Sequence, residues 1–168
     1  PKCVVIPGGV YMVRIYSHSV DRRTARQQWN LPEEAPVALC VARLMEDKGV
    51  DILLRALSHV PEWFAVVVGE GPQRVPLVQL ASELGVGERV RFAGYLPILD
   101  SAWAVCDVAV VPSRREGLGL FALEAMAAEK PVVASKTGGL AEIVRHGETG
   151  WLVKPEDPHA LADALRQV

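Results

Sequence analysis

The sequence predicts an α/β protein, a doubly wound, Rossmann-like parallel sheet of about six strands with helices on both faces. Two observations predict it. Six short runs rich in Val, Ala and Leu recur along the chain, each followed by a stretch with helical patterning. The runs are almost continuously apolar rather than alternating, as strands buried on both faces should be. The length agrees, because 168 residues, 50% of them hydrophobic, suffice for one proper core.

Taken in order, residues 4–6 form a short strand candidate stopped by the turn signal Pro7-Gly8-Gly9. Residues 14–30 are polar and charged, with RRTARQQW suggesting a short surface helix, and 32–36 form a loop. The opening PKCVVIPGG, without an initiating Met, reads as the middle of a longer protein. Residues 1–36 are therefore expected to be a hinge segment and surface helix leading in from a preceding domain, and 37–168 to be the sheet domain. VALCVA (37–42) is the first main strand, and apolar Ile52, Leu53, Leu54, Ala56 and Leu57 mark a helix over 50–60. WFAVVVG (63–69) is a strand, followed by a helix over 73–84 that tolerates Pro76 near its first turn. RVRFAG (89–94) is a strand and 98–106 a short helix; DVAVVP (107–112) is a strand and 118–128 a strong helix-forming run. PVVAS (131–135) precedes a helix over 140–146. GWLV (150–153) precedes a last helix over 158–168, with Pro158 well placed in its first turn.

Charge and cysteine usage bound the function. A net charge of −2 with mixed signs argues against a nucleic-acid partner or an anionic membrane surface. No apolar run is long enough to span a bilayer, and no signal-peptide pattern is present. Cys3, Cys40 and Cys106 are odd in number and far apart, which suits buried thiols in a reducing cytoplasm better than bridges or a metal site. His18, His59, His146 and His159 show no ligand spacing and read as surface or helix-end residues, so no metal is expected.

In a doubly wound fold, ligands sit in the crevice at the carboxyl ends of the strands, where strand order reverses. The chemistry-bearing residues fall there. After the first main strand, Arg43 and Lys48 bracket a loop that starts a helix, a plausible pyrophosphate clamp. Gly69-Glu70-Gly71-Pro72 follows the second strand, Gly94-Tyr95-Leu96-Pro97 the third and Lys136-Thr137-Gly138-Gly139 the fifth. After the fourth comes SRREGLGLFALEAMAAEK (113–130), with Glu116 and Glu124 eight residues apart and Gly117 and Gly119 bracketing a helix start near Leu118. That spacing puts the carboxylates ~12 Å apart along the axis and roughly 80° apart around it. They cannot share a proton or a metal ion, but they could hold the two ends of one extended ligand with an anion between them at the helix N-terminus. Each feature alone also has an ordinary reading, as solvated cations, a tight turn or helix-dipole partners. Their location on one rim outweighs any single motif.

The blocks VARLMEDKGVDILLRAL, VVVGEGP, VRFAGYLP, DVAVVPSRREGLGLFALEAMAAEKPVVAS and TGGLAEIVRHGETGWLV resemble, in order, those of the group 1 (family 4) retaining glycosyltransferases, and VVIPGGV resembles their hinge segment. The combination of E-x7-E with R-x4-K is specific. The resemblance implies the C-terminal, donor-binding domain of a two-domain GT-B enzyme, using a nucleoside-diphosphate sugar and no metal. It implies that Arg43 and Lys48 neutralise the diphosphate, that Glu116 contacts the transferred sugar, and that Glu124 binds the ribose hydroxyls. Backbone N–H groups around Gly117, Gly119, Leu120 and Phe121 would meet the phosphates or sugar, and Leu96 with the Gly69–Gly71 loop would lie against the base. The acceptor, a glycan, lipid or small molecule, would bind the N-terminal domain, and a lipid acceptor would bring the enzyme to the inner face of the membrane. Three departures from the pattern stand out: Tyr11 where Asp is common, Glu129 where Gly is usual, and a short segment between Leu96 and Asp107. A non-catalytic nucleotide-sugar module on the same fold is the alternative. A GT-B sugar-nucleotide epimerase is disfavoured by the blocks above.

Overall fold

In a computed structural model, the described residues are Gly9 and 20–168. The strand expected at 4–6, together with Cys3, Tyr11 and His18, lies outside them. All six main strands form: β1 (Val37–Val41), β2 (Phe64–Val68), β3 (Val90–Gly94), β4 (Val108–Val111), β5 (Val132–Ser135) and β6 (Gly150–Val153). Every pairing is parallel, in the order β3-β2-β1-β4-β5-β6. The order reverses between β1 and β4, which opens the crevice of a doubly wound sheet.

Alternation along each strand feeds two cores. Ala38 and Cys40 of β1, with Ala65, Val67, Val108 and Val110, face α2 (Val50–Leu57), α3 (Arg74–Glu83) and α7 (Pro158–Leu165). Val37 and Leu39, with Val66, Val68, Ala109 and Val111, face α1 (Arg22–Gln28), α4 (Asp100–Val105), α5 (Leu120–Ala127) and α6 (Leu140–Ile143). Strands that are apolar at every position thus serve both faces.

Helix α1 is less superficial than RRTARQQ suggests. Asp21 caps it by accepting from the Thr24 N–H, Ala25 is fully buried, and the Arg26 side chain is 4% exposed. Asp107, at the foot of β4, holds it in place. Its carboxylate accepts from Arg22 at 2.6 Å, from Arg26 at 3.3 Å and from the Val37 N–H at 2.8 Å. Cys40 and Cys106 are buried free thiols, and burial pushes both up to about 12. The histidines are less scattered than their numbering. His59, just after α2, and His159, in the first turn of α7, bring their ring centroids within 4.2 Å. His146 accepts the Leu152 N–H at Nδ1, a structural role.

Candidate active site at the β1–β4 crevice

The loops after β1 and β4 build the site together. Gly49 has φ +64, and a side chain there would place Cβ 2.1 Å from the Pro112 carbonyl oxygen. Only glycine allows that approach, and it brings the turn bearing Lys48 against the start of the β4 loop. Arg114 tightens the junction. Its guanidinium makes a forked pair with Asp51 (2.8 Å to each oxygen), donates to the Glu46 carbonyl at 2.7 Å, and reaches Glu156 at 2.9 Å. Its backbone N–H donates to the Asp47 carbonyl. The Asp51 hydrogen bonds raise the Arg114 pKa further; burial opposes the ionisation of Asp51, but the Arg114 pair outweighs it and holds that carboxyl below its usual value.

Between these loops lies a cleft of about 370 Å³ with an apolar floor from the ends of β1 and β4. Arg43, Lys48, Glu116, Glu124, Gly119, Leu120 and Phe121 all line it. Seven of the residues expected at the site therefore converge in one place. The Lys48 ammonium and the Glu116 carboxylate, each under one-fifth exposed, meet at 2.9 Å. Ser113, buried at the end of β4, donates to the same carboxylate oxygen at 3.0 Å. Arg43 is exposed and makes no ion pair among the described residues.

Helix α5 starts two residues later than the sequence suggests. Gly119 takes the left-handed conformation (φ 79) as its N-cap, and the turn packs against Leu140, whose Cδ2 lies 2.6 Å from where a Cβ would sit. With no side-chain cap, the Leu120 and Phe121 N–H groups point out of the helix unpaired among the described residues. Glu124 sits one turn along the helix. Burial raises its pKa, and it accepts no hydrogen bond among the described residues.

Four expected residues lie off the cleft lining: Gly117, Leu96, Gly69 and Gly71. Close backbone approach already requires glycine at the last two. A Cβ at Gly69 would come within 1.9 Å of the Ala42 carbonyl oxygen, and one at Gly71 within 2.4 Å of that of Leu44. They press the β2 loop onto the β1 loop. Leu96 packs on the α1-side core. Gly117 offers its carbonyl to the Gly139 N–H at 2.8 Å. The Gly138-Gly139 helix entry noted after the fifth strand also shapes the site, as do Ser113 and Arg114, which sequence reasoning did not single out. A Cβ at Gly138 would lie 1.7 Å from the Glu116 carbonyl oxygen, so the Gly138-Gly139 pair is a platform for the Glu116–Gly117 backbone. Ser113 was signalled by its S-x-x-E spacing to Glu116, a pattern that ordinarily marks a helix start. Arg114 carried no signal, since its partners Asp51 and Glu156 are remote in sequence.

Residues 21–168 match the family model described as glycosyl transferases group 1. The chain belongs to that family. It is 37% identical over 173 residues to a GDP-mannose-dependent alpha-(1-6)-phosphatidylinositol monomannoside mannosyltransferase of Mycolicibacterium smegmatis, covering 95% of this chain and 45% of that protein. The chain thus spans less than half the length of this curated relative. Among solved structures it is similar to Anabaena HepE in complex with UDP and glucose (TM-score 0.91, 32% identity, 98% of this chain and 46% of that one). It is similar also to the C-terminal domain of the group 1 family protein LpcC from Francisella tularensis, with a TM-score of 0.77 and 30% identity over 95% of this chain and 87% of that one. Among the described residues, no helix is long and apolar enough to cross a membrane, and no three His, Cys, Asp or Glu side chains group as a metal site.

Proposed function

We propose that this chain is the donor-binding half of a retaining glycosyltransferase, holding a nucleoside-diphosphate sugar in the β1–β4 cleft. The observation that carries the proposal is the convergence of two cations, two carboxylates and an uncapped helix start in one cleft at the switch point of the sheet. A diphosphate fits between Arg43, Lys48 and the Leu120 and Phe121 N–H groups. Glu124 accepts from the vicinal ribose hydroxyls, because an ionised carboxylate can take two such bonds. Glu116 accepts from a hydroxyl of the sugar. A ligand of this kind is long enough to occupy both carboxylates at once.

Catalysis follows from charge. Breaking the anomeric C–O bond leaves negative charge on the departing nucleoside diphosphate, where Arg43, Lys48 and the α5 N-terminus already stand. Preorganised donors of that kind contribute ~10²–10³ each in rate. Lys48 is paired with Glu116, so the diphosphate takes over a cation that is already in place. The acceptor, a glycan, lipid or small molecule, binds outside this chain, on the remainder of a longer protein. One relative is named as GDP-mannose-dependent and one similar structure holds UDP and glucose, so each base belongs among the probes. Two buried free thiols favour a reducing, cytoplasmic setting. The test is sugar transfer by the longer protein, with the anomeric configuration of the product read by NMR. Retained configuration, with activity undiminished by EDTA and abolished in Lys48→Ala, is the expected result. Inversion would refute the retaining assignment, and transfer unaffected by Lys48→Ala would refute the leaving-group role.

A further inference from the structure

Resting on that reading, we infer that Ser113 is a positioning residue that holds Glu116 on the sugar while Lys48 attends to the diphosphate. Ser113 is 1% exposed, and its hydroxyl donates to Glu116 Oε2 at 3.0 Å. Lys48 Nζ donates to the same oxygen at 2.9 Å. Glu116 Oε1 accepts no hydrogen bond among the described residues. One carboxylate oxygen is therefore saturated by the protein and the other is left for a ligand hydroxyl.

The two donors are not equivalent. Lys48 is a flexible point charge, and a bound diphosphate competes for it. Ser113 is buried on a short side chain at the end of β4, and its hydroxyl has no other partner among the described residues. When Lys48 turns to the diphosphate, Ser113 is the donor that keeps Glu116 Oε2 fixed. The backbone is fixed independently: the Glu116 carbonyl packs on Gly138 too closely for any side chain, and the Gly117 carbonyl accepts from Gly139. With both ends of the residue pinned, Oε1 has one direction in which to point. Without Ser113, the carboxylate of the sugar-bound state is free to rotate about its last torsion, which is broad.

The experiment uses the full-length protein and equilibrium binding of UDP with UDP-glucose and GDP with GDP-mannose, followed on whichever pair the wild type takes. Ser113→Ala removes a single oxygen, and its urea midpoint checks that it folds. The expected result is affinity for the nucleoside diphosphate within about twofold of wild type and a loss of about 5–10-fold for the sugar conjugate, the size of one typical intramolecular hydrogen bond. The Ser113→Ala/Glu116→Ala double variant should bind the conjugate no more weakly than Glu116→Ala alone, because Ser113 acts through Glu116. Equal losses on both ligands, an additive loss in the double variant, or no loss at all would overturn the positioning role. Should the wild type bind neither pair, the donor reading itself fails. The crystal structure of Ser113→Ala then decides the local claim, with a Glu116 carboxylate displaced from its place beside Lys48 upholding it and an unmoved one refuting it.

Discussion

Glu124 is half-buried on α5, and burial alone raises its pKa above the ordinary 4.5. The native state therefore keeps this proton to higher pH than the unfolded chain, and stability falls as pH rises through that window. An ionised Glu124 is a cost to folding that the proposed ribose contact would offset. Glu124→Gln should raise the urea midpoint at neutral pH, with the gain vanishing below pH 4.5 where both states are protonated. The same substitution should weaken nucleotide binding by ~1.5–3 kcal/mol; unchanged affinity would remove Glu124 from the site. Glu129 is a second residue at odds with its surroundings. Its backbone has φ 57, so this side chain carries left-handed strain in the turn after α5. Glu129→Gly should add ~0.5–1 kcal/mol after the extra flexibility of the unfolded chain is deducted. The check is a higher urea midpoint at unchanged slope.

The elements were largely legible because short, continuously apolar runs alternate with helically patterned stretches. Each of the six Val- and Ala-rich runs forms its strand, since continuous apolar runs bounded by Gly and Pro leave few alternatives in a parallel sheet. The α5 boundary was misjudged by two residues because Gly119 adopts a left-handed turn against Leu140, a tertiary contact that propensity cannot see. Gly69 and Gly71 were legible as glycines that matter but not as to why, because the carbonyls that exclude side chains there belong to another loop. The junction of the β1 and β4 loops depends on Arg114. Arg114→Ala should cost ~2–3 kcal/mol, since it strands the half-buried Asp51 carboxylate and frees the Glu46–Lys48 turn. Asp51 has a lowered folded pKa, so the pair stabilises above the unfolded value of 3.8 and is lost as pH falls through the folded one. Urea unfolding followed down to about pH 2 should show a shallower acid limb in Asp51→Asn. An unchanged limb would place the acid sensitivity elsewhere.

At the scale of the whole molecule, strand order is what the sequence withheld and what makes the site. The order β3-β2-β1-β4-β5-β6 sets the first and fourth strands side by side. That adjacency carries Arg43 and Lys48 to Glu116 across some seventy residues of chain, and it draws α1 under the sheet through Asp107. The E-x7-E and R-x4-K patterns were readable separately, and their meeting was an expectation that the sheet realises in one cleft. Less of the supporting shell was readable. Arg114 and Gly138 act through partners that only the fold brings near, and the S-x-x-E spacing of Ser113 ordinarily means a helix cap. The most direct measurement is a thermal-shift series with UDP, GDP, ADP and their sugar conjugates on the wild type and on Arg43→Ala and Lys48→Ala. At about 100 times its Kd, a true ligand adds ~2.7 kcal/mol, several degrees for a domain this size. The account predicts such a shift for one base, strongly reduced in both variants. No shift with any nucleotide, or an equal shift in the variants, would contradict it.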